Sequence, residues 1–223
     1  RSRGISSLDV LVISHADIDH SGGAASVLRL AGAKRVFSSV PQGHRLLAGV
    51  LQHEPCRRGD AWQWGEVRFE FLHPGPEFPP GAARSPTNAL SCVLKIESPA
   101  GSALLAGDIE SRQEADLVAR LGDRLKSNLL LAPHHGSNTS SSPLFLAAVS
   151  PSVAIFQVGY RNRFRHPTPR VLGRYQDAGV EILRTDHHGA LTVHASHAGQ
   201  PWRIERARET PAQYWRVRAS ESN

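Results

Sequence analysis

Ser14-His15-Ala16-Asp17-Ile18-Asp19-His20-Ser21-Gly22-Gly23 places two histidines and two aspartates within six residues. The run Leu8 to Ile13 before it reads as a short buried strand. After it, Ala24, Val27, Leu28 and Ala31 recur at helical spacing. Four metal-ligand side chains thus fall on a turn between a strand end and a helix start, where α/β sheets usually build their sites. Imidazoles mixed with hard carboxylate oxygens suit two adjacent divalent cations better than one tetrahedral zinc. A polar turn with one helix-capping Asp explains one of these residues. It does not explain the spacing H-x-D-x-D-H, which points to metal.

Further strand ends deliver polar groups in the same way. Cys92 to Ile96 and Ala103 to Leu105 read as strands, preceded by Asn88 and Ser91 and ended by Gly107-Asp108. Asn128 to Ala132 is a strand that ends at Pro133-His134-His135-Gly136-Ser137. Asp108 could cap the helix from Glu110 to Lys126. With the first motif present, the favoured reading is a carboxylate bridging two metals. Adjacent histidines on an extended strand end point apart, so one of His134 and His135 faces the metals and the other the substrate.

Strands are also expected at Arg35 to Phe37, Val67 to Leu72 and Val153 to Val158, with Val180 to Leu183 pairing with Ala190 to His194. Helices are expected from Gly22 to Gly32, from Pro143, and from Thr168-Pro169 to Gly179. Gly122 is a weak point in the Glu110–Lys126 helix, whose apolar stripe is Leu117, Val118, Leu121 and Leu125. Trp62 to Gly65 reads as a turn, and Pro74 to Pro86 as a loop. The loop Gly159 to Pro167 carries Arg161, Arg163, Phe164 and Arg165, a mixture that suits phosphate contact and base stacking on a single strand. His44 reads as an ordinary surface residue and His73 as structural.

The 223 residues allow one domain with a real core, and 40% hydrophobic with 21% charged residues is ordinary for a globular protein. The division expected is a domain over 1–200 and a basic tail over 201–223, where five arginines surround Trp202 and Trp215. A net charge of +6 favours anionic partners such as nucleic acid. No apolar run approaches the ~20 residues of a membrane span. Cys56 and Cys92 form no C-x-x-C, which argues against a cysteine zinc site. Cys92 reads as a small buried hydrophobe, and two cysteines leave the redox compartment open. The chain starts with Arg and contains no Met, which reads as a piece of something longer.

His15-x-Asp17-x-Asp19-His20, Gly107-Asp108 and His134-His135-Gly136-Ser137 together resemble the metallo-β-lactamase fold superfamily. Leu8-Asp9-x-Leu11-Val12-x-Ser14-His15, Arg161-Asn162-x-Phe164-x-His166-Pro167 and Arg184-Thr185-Asp186 with Gly189 narrow this. They resemble the C-terminal domain of the ComEC family, the DNA-uptake channel proteins of competent bacteria. The resemblance runs to about Val193. It implies an α/β, four-layer αββα sandwich with mixed sheets, whereas pattern alone supports only α/β with mixed sheets. It also implies further strands upstream of Arg1, with a Gly-Gln-Gly motif.

By that resemblance, His15 and Asp17 hold one metal, Asp19 and His20 the other with His134, and Asp108 bridges. Asp19, Asp108 and His135 carry the catalysis. Asn88, Ser91, Ser137, Arg161, Asn162, Arg163 and His166 contact substrate. Asp17 stands where the superfamily usually has His, and its next metal histidine has no match, since Asn88 and Ser91 occupy that region. More oxygen and less imidazole favours Mn2+ over Zn2+, with Mg2+ an alternative, and suits phosphodiesters. Two ions ~3.5–4 Å apart would activate water for in-line attack on phosphorus.

The function expected is therefore degradation of the non-transported DNA strand during transformation. Single-stranded DNA is the substrate. The transmembrane channel of the parent protein and other competence proteins are the partners, on the periplasmic side of the inner membrane. The alternatives are a zinc hydrolase of small esters or thioesters, and a DNA-binding module with a vestigial site.

Overall fold

The run before the ligand turn folds as strand β1 (Val10–Ile13). Its alternating side chains divide between two cores, as the period-2 geometry of a strand requires. Leu11 and Ile13 face one layer, Val10 and Val12 the other. The computed structural model describes residues 4–41, 43–50, 52–76, 87–196, 198–200 and 202–209. The segment 77–86 of the expected loop, and Trp215, Arg216 and Arg218 of the expected tail, lie outside them.

After β1 come a one-turn helix α1 (Ile18–Ser21), helix α2 (Ala24–Ala31), β2 (Arg35–Ser38) and β3 (His53–Pro55). The helix expected from Gly22 to Gly32 is α2, and the one-turn α1 precedes it across Gly22 and Gly23. Strands β1, β2 and β3 form a parallel sheet in that order. The polar triplet at β3 carried no strand pattern.

The second sheet holds β4 (Ala61–Trp64), β5 (Val67–His73), β6 (Val93–Ser98) and β7 (Gly101–Leu105), then β8 (Leu129–Leu131), β9 (Val153–Phe156) and β10 (Glu181–Arg184). Helix α3 (Ser111–Leu121) links β7 to β8, α4 (Pro143–Val149) links β8 to β9, and α5 (Pro169–Asp177) links β9 to β10. The order is β10-β9-β8-β7-β6-β5-β4. The four strands β7 to β10 run parallel through helical crossovers, and β4 to β7 pair antiparallel in succession. A one-turn helix α6 (Thr185–His188) then leads to β11 (Leu191–His194), which pairs antiparallel with β12 (Arg203–Arg206).

Three expectations are corrected. Trp62–Gly65 is not a turn but largely β4, whose Trp62 stacks on Phe69. The helix after Asp108 does not reach Lys126. Gly122 adopts φ 48° and ends α3, and a 3-10 turn follows to Leu125. The strand at 180–183 does not pair with that at 190–194. It joins β9 in parallel, and β11 takes β12 as its partner because α6 turns the chain away from the sheet.

Four layers result. Ala24 and Leu28 of α2 pack on Ile13 and Val36 of the first sheet. The two sheets meet through Phe37, Phe71, Leu94 and their neighbours. On the far face, Leu104, Leu130, Ala154 and Phe156 meet Leu117 of α3, Phe145 of α4 and Tyr175 of α5. The β11–β12 hairpin covers the rest of the inner face, Leu191 and Ile204 packing on Leu129, Ile155 and Leu183. Cys56, just after β3, is disulfide-bonded to Cys92, just before β6, so the sheets are also joined covalently. Cys92 is buried, as expected, but as half of this bridge.

Phe71 is fully buried between the sheets, edge-on to Phe37. Phe71→Ala leaves a cavity there and is expected to cost about 3–5 kcal/mol, measured by denaturant unfolding.

Candidate metal centre

The site lies at the strand ends between the two sheets. A cleft of about 280 Å3 runs there, lined by Val12, Leu94, Leu105 and Leu131 along its walls and by Asp19, His20, Asp108 and His135 at its head. Ser14 closes β1, and its carbonyl accepts from Cys92 N at 2.9 Å and from Ser39 Oγ at 2.8 Å. That fixes the start of the ligand turn against both sheets. His15 is fully buried and Asp108 nearly so.

Four imidazoles converge on one carboxylate. His20 Nε2 is 3.2 Å from Asp108 Oδ1. The Nε2 atoms of His135, His134 and His15 are 3.6, 3.9 and 4.0 Å from Asp108 Oδ2. Asp17 Oδ2 is 3.7 Å from His15 Nε2, and Asp19 Oδ2 is 3.4 Å from His135 Nε2. His20 and His135 approach each other at 3.0 Å between Nε2 atoms.

The capping alternatives fail on geometry. Asp17 occupies the N-cap position of α1, but its side chain caps nothing. The cap of α3 is Glu110, in a capping box with Gln113, which leaves Asp108 free to face the histidines.

These residues fit divalent metal. Ligand atoms bound about 2.1 Å from one ion lie roughly 3.0–3.5 Å apart, close to the separations just given. His15, His20 and Asp108 form one such group, and Asp19, His20 and His135 another. His15 Nε2 is buried with no hydrogen-bond partner, a costly state for a polar atom unless something binds it. Each ring also has its other nitrogen occupied by protein. Nδ1 of His15 contacts Ser14 and Ser91, Nδ1 of His20 contacts Ser14, and Nδ1 of His135 donates to the Gln157 carbonyl at 2.7 Å. Metal-binding histidines are held in this way, one nitrogen fixed and one presented.

The electrostatics follow. In the metal-free protein, burial and then the neighbouring His20 hold the His15 pKa down to about 4, against the pull of Asp108, Asp17 and Asp19. Burial also opposes the charged form of His20. The hydrogen bond to Asp108 and the charges of Asp108, Asp19 and Asp17 outweigh it, and the His20 pKa is raised. Burial would raise the Asp108 pKa, but the His20 hydrogen bond and the facing imidazoles lower it.

Neither histidine of the 133–136 turn is extended, as the strand-end reading required. His134 (φ 48°) and His135 (φ 53°) are both left-handed, so both rings swing toward Asp108 instead of pointing apart. His134 N is anchored to Gly107 O at 3.0 Å. The two differ in neighbours. His135 lies with Asp19 and His20, while His134 faces Asn88 Nδ2 at 3.4 Å.

The other expected residues spread around the centre. Ser91 is buried behind it, its Oγ accepting from Asp108 N and touching His15 Nδ1. Ser137 is buried beside Thr139. Asn162 is spent inside its own loop, bonded to the backbone of His166 through both side-chain atoms. The His166 ring is 6.0 Å from His134 on one side and 5.9 Å from Phe164 on the other. Burial, then His134 and His135, lower its pKa. Arg161, Arg163, Phe164 and Arg165 are exposed, with Arg163 over the Phe164 ring at 4.7 Å. His44 accepts from Leu46 N at a 3-10 turn, and His73 contacts the Ala89 carbonyl. The sequence reading missed Ser14, Glu110, Thr139 and the Gln157 carbonyl. The only signal for Ser14, Glu110 and Thr139 was proximity to a ligand motif, and Gln157, 22 residues from His135, carried none.

Residues 1–160 match the metallo-beta-lactamase superfamily. The chain is 37% identical over 196 residues to competence protein ComA of Neisseria gonorrhoeae, covering 88% of the chain and 26% of the relative. It is 33% identical over 199 residues to ComE operon protein 3 of Bacillus subtilis (strain 168), covering 85% and 25%. The chain thus spans about a quarter of the length of these relatives. Among solved structures, CmlA, a diiron beta-hydroxylase from Streptomyces venezuelae, matches with a TM-score of 0.54 at 16% identity, over 90% of the chain and 45% of that protein. That likeness concerns the fold alone.

Gly107 adopts φ +58°, and a Cβ there would come within 2.9 Å of Ser91 Cβ. Gly107→Ala is therefore expected to cost about 1–3 kcal/mol and to push Ser91 off Asp108, read as a lowered unfolding midpoint.

Proposed function

This chain belongs to the metallo-beta-lactamase superfamily, and from that premise we propose that it is a metal-dependent nuclease domain that cleaves phosphodiester bonds of single-stranded DNA. One observation carries the reading. The rim around the buried Asp108 is supplied by the carboxylates of Asp17 and Asp19 as well as by imidazoles. Oxygen-rich sites prefer harder cations, which favours Mn2+, with Mg2+ and Zn2+ as alternatives.

His15 and Asp17 would hold one cation. Asp19 and His20 would hold the second, with His135 nearest to them and His134 beside Asp108. Asp108 would stand between the two. When bound, such cations supply Lewis-acid polarisation of a phosphate oxygen. The chain's own groups bind and orient the strand. Arg161 and Arg163 meet phosphates, and exposed Phe164 offers a stacking face next to His166. His166, whose ring is 6.0 Å from that of His134, is the candidate to protonate the leaving oxygen.

The competence names of the two relatives support a DNA-uptake setting, with the channel part of the parent protein and other uptake proteins as partners. The Cys56–Cys92 disulfide suits an oxidising, periplasmic compartment. Among the described residues, no helix is long and apolar enough to cross a membrane, so attachment would come from the rest of the parent protein.

The test is cleavage of a labelled single-stranded oligonucleotide. Mn2+-stimulated cleavage is expected, falling at least ~100-fold in Asp17→Ala and in Asp19→Ala. Undiminished cleavage in both variants would refute the proposal, and zinc-dependent ester hydrolysis without DNA cleavage would replace it.

Binding separates the two parts of the loop. Phe164→Ala is expected to weaken single-strand binding by about 1–3 kcal/mol with its salt dependence unchanged. Arg163→Ala is expected to lower the log–log salt slope by about 0.7. Both are measured by fluorescence anisotropy across salt concentrations.

A further inference from the structure

Each of the four imidazoles turns Nε2 to the centre, so to bind a cation through that atom each must be neutral with its proton on Nδ1. For three of them the Nδ1 partners are neutral serines or a carbonyl. His134 is different. Its Nδ1 lies 3.2 Å from Thr139 Oγ1 and 3.3 Å from Glu110 Oε1. The Thr139 hydroxyl donates to that same carboxylate oxygen at 3.0 Å. A hydroxyl has one proton. Once it is committed to Glu110, Thr139 offers His134 only lone pairs, so His134 Nδ1 must donate and Nε2 is left bare. The Asn88 amide nitrogen at 3.4 Å from Nε2 agrees, as a donor facing a lone pair.

Glu110 is well placed to hold this arrangement. Its side chain is bonded in the capping box of α3. Thr139 is tied to the same helix end, since its carbonyl accepts from Ser111 N at 2.9 Å and Ser111 Oγ at 2.7 Å. One turn further along α3, the buried Glu114 carboxylate accepts from Ser141 N and Ser142 N. The helix therefore grips the 137–142 strap at two points, and the first of them touches a histidine of the centre.

We infer that Glu110 is a positioning residue. Acting through Thr139, it sets the tautomer and ring orientation of His134 and strengthens Nε2 as an electron-pair donor to a divalent cation. The inference rests on reading the centre as a metal site.

The experiment records imidazole 15N–1H spectra of the metal-free protein at mildly alkaline pH and titrates the same samples with Mn2+. Wild type is expected to show His134 as a single Nδ1–H tautomer. Glu110→Ala is expected to give a mixture of tautomers and 10–100-fold weaker Mn2+ binding, the usual scale for losing such a partner. Glu110→Gln keeps an oxygen acceptor and the cap. It should retain the tautomer and recover part of the affinity, which a purely structural loss would not do. An Nε2–H tautomer in wild type overturns the inference, as does Glu110→Ala with wild-type tautomer and affinity. If wild type binds no Mn2+, the metal reading fails, and the tautomer comparison between wild type and Glu110→Ala still decides the role of Glu110.

Discussion

A buried carboxylate must be matched by its surroundings, because an isolated charge in the interior costs several kcal/mol. Asp108 is 4% exposed; His20 donates to it at 3.2 Å, and the three further imidazole nitrogens that face it, within 4.0 Å, would share a cation with it. Much of the local architecture follows from that requirement. Gly107 takes a positive φ to turn the chain at the strand end. The Gly107 carbonyl then anchors the His134 backbone, and Ser91 secures the Asp108 amide. His134 and His135 both adopt left-handed backbone, an unfavourable choice tolerated mainly where function or packing demands it.

The two sheets serve this arrangement by holding its contributors on different layers. His15 to His20 follow a strand of the small sheet, and Asp108 and His134–His135 follow strands of the large one. The centre exists only while the layers keep their spacing. The aromatic core of Phe37, Trp62, Phe69 and Phe71 and the Cys56–Cys92 bridge maintain it from below. Helix α3 maintains it from the side, through the strap that carries Thr139.

Much of this was legible in the residues. The ligand turn, Gly107-Asp108 and the His134-His135 pair all announced a site, because strand patterns of apolar residues are strong signals and each motif stood at the end of one. The break at Gly122 was visible as a weak point, though not that it would end the helix. Strand β3 was invisible, since His53-Glu54-Pro55 has neither alternation nor β-branched residues and forms only because β2 offers an edge. The partner of β11 was misread for a related reason. Pairing is settled between distant segments, and the local pattern at Ala190–His194 fits any edge of suitable register.

The sequence by itself determined which side chains can hold metal and that they stand at strand ends, because ligand chemistry and apolar periodicity are local properties. Only the tertiary structure decided how they combine. It turned both histidines of the 133–136 turn toward Asp108, set His135 beside Asp19 and His20, and gave His134 a carboxylate partner in Glu110. The physical reason is that these relations depend on backbone conformations and cross-layer distances of a few ångströms. Such quantities are set by the packing of two sheets and a helix, and no residue spacing encodes them.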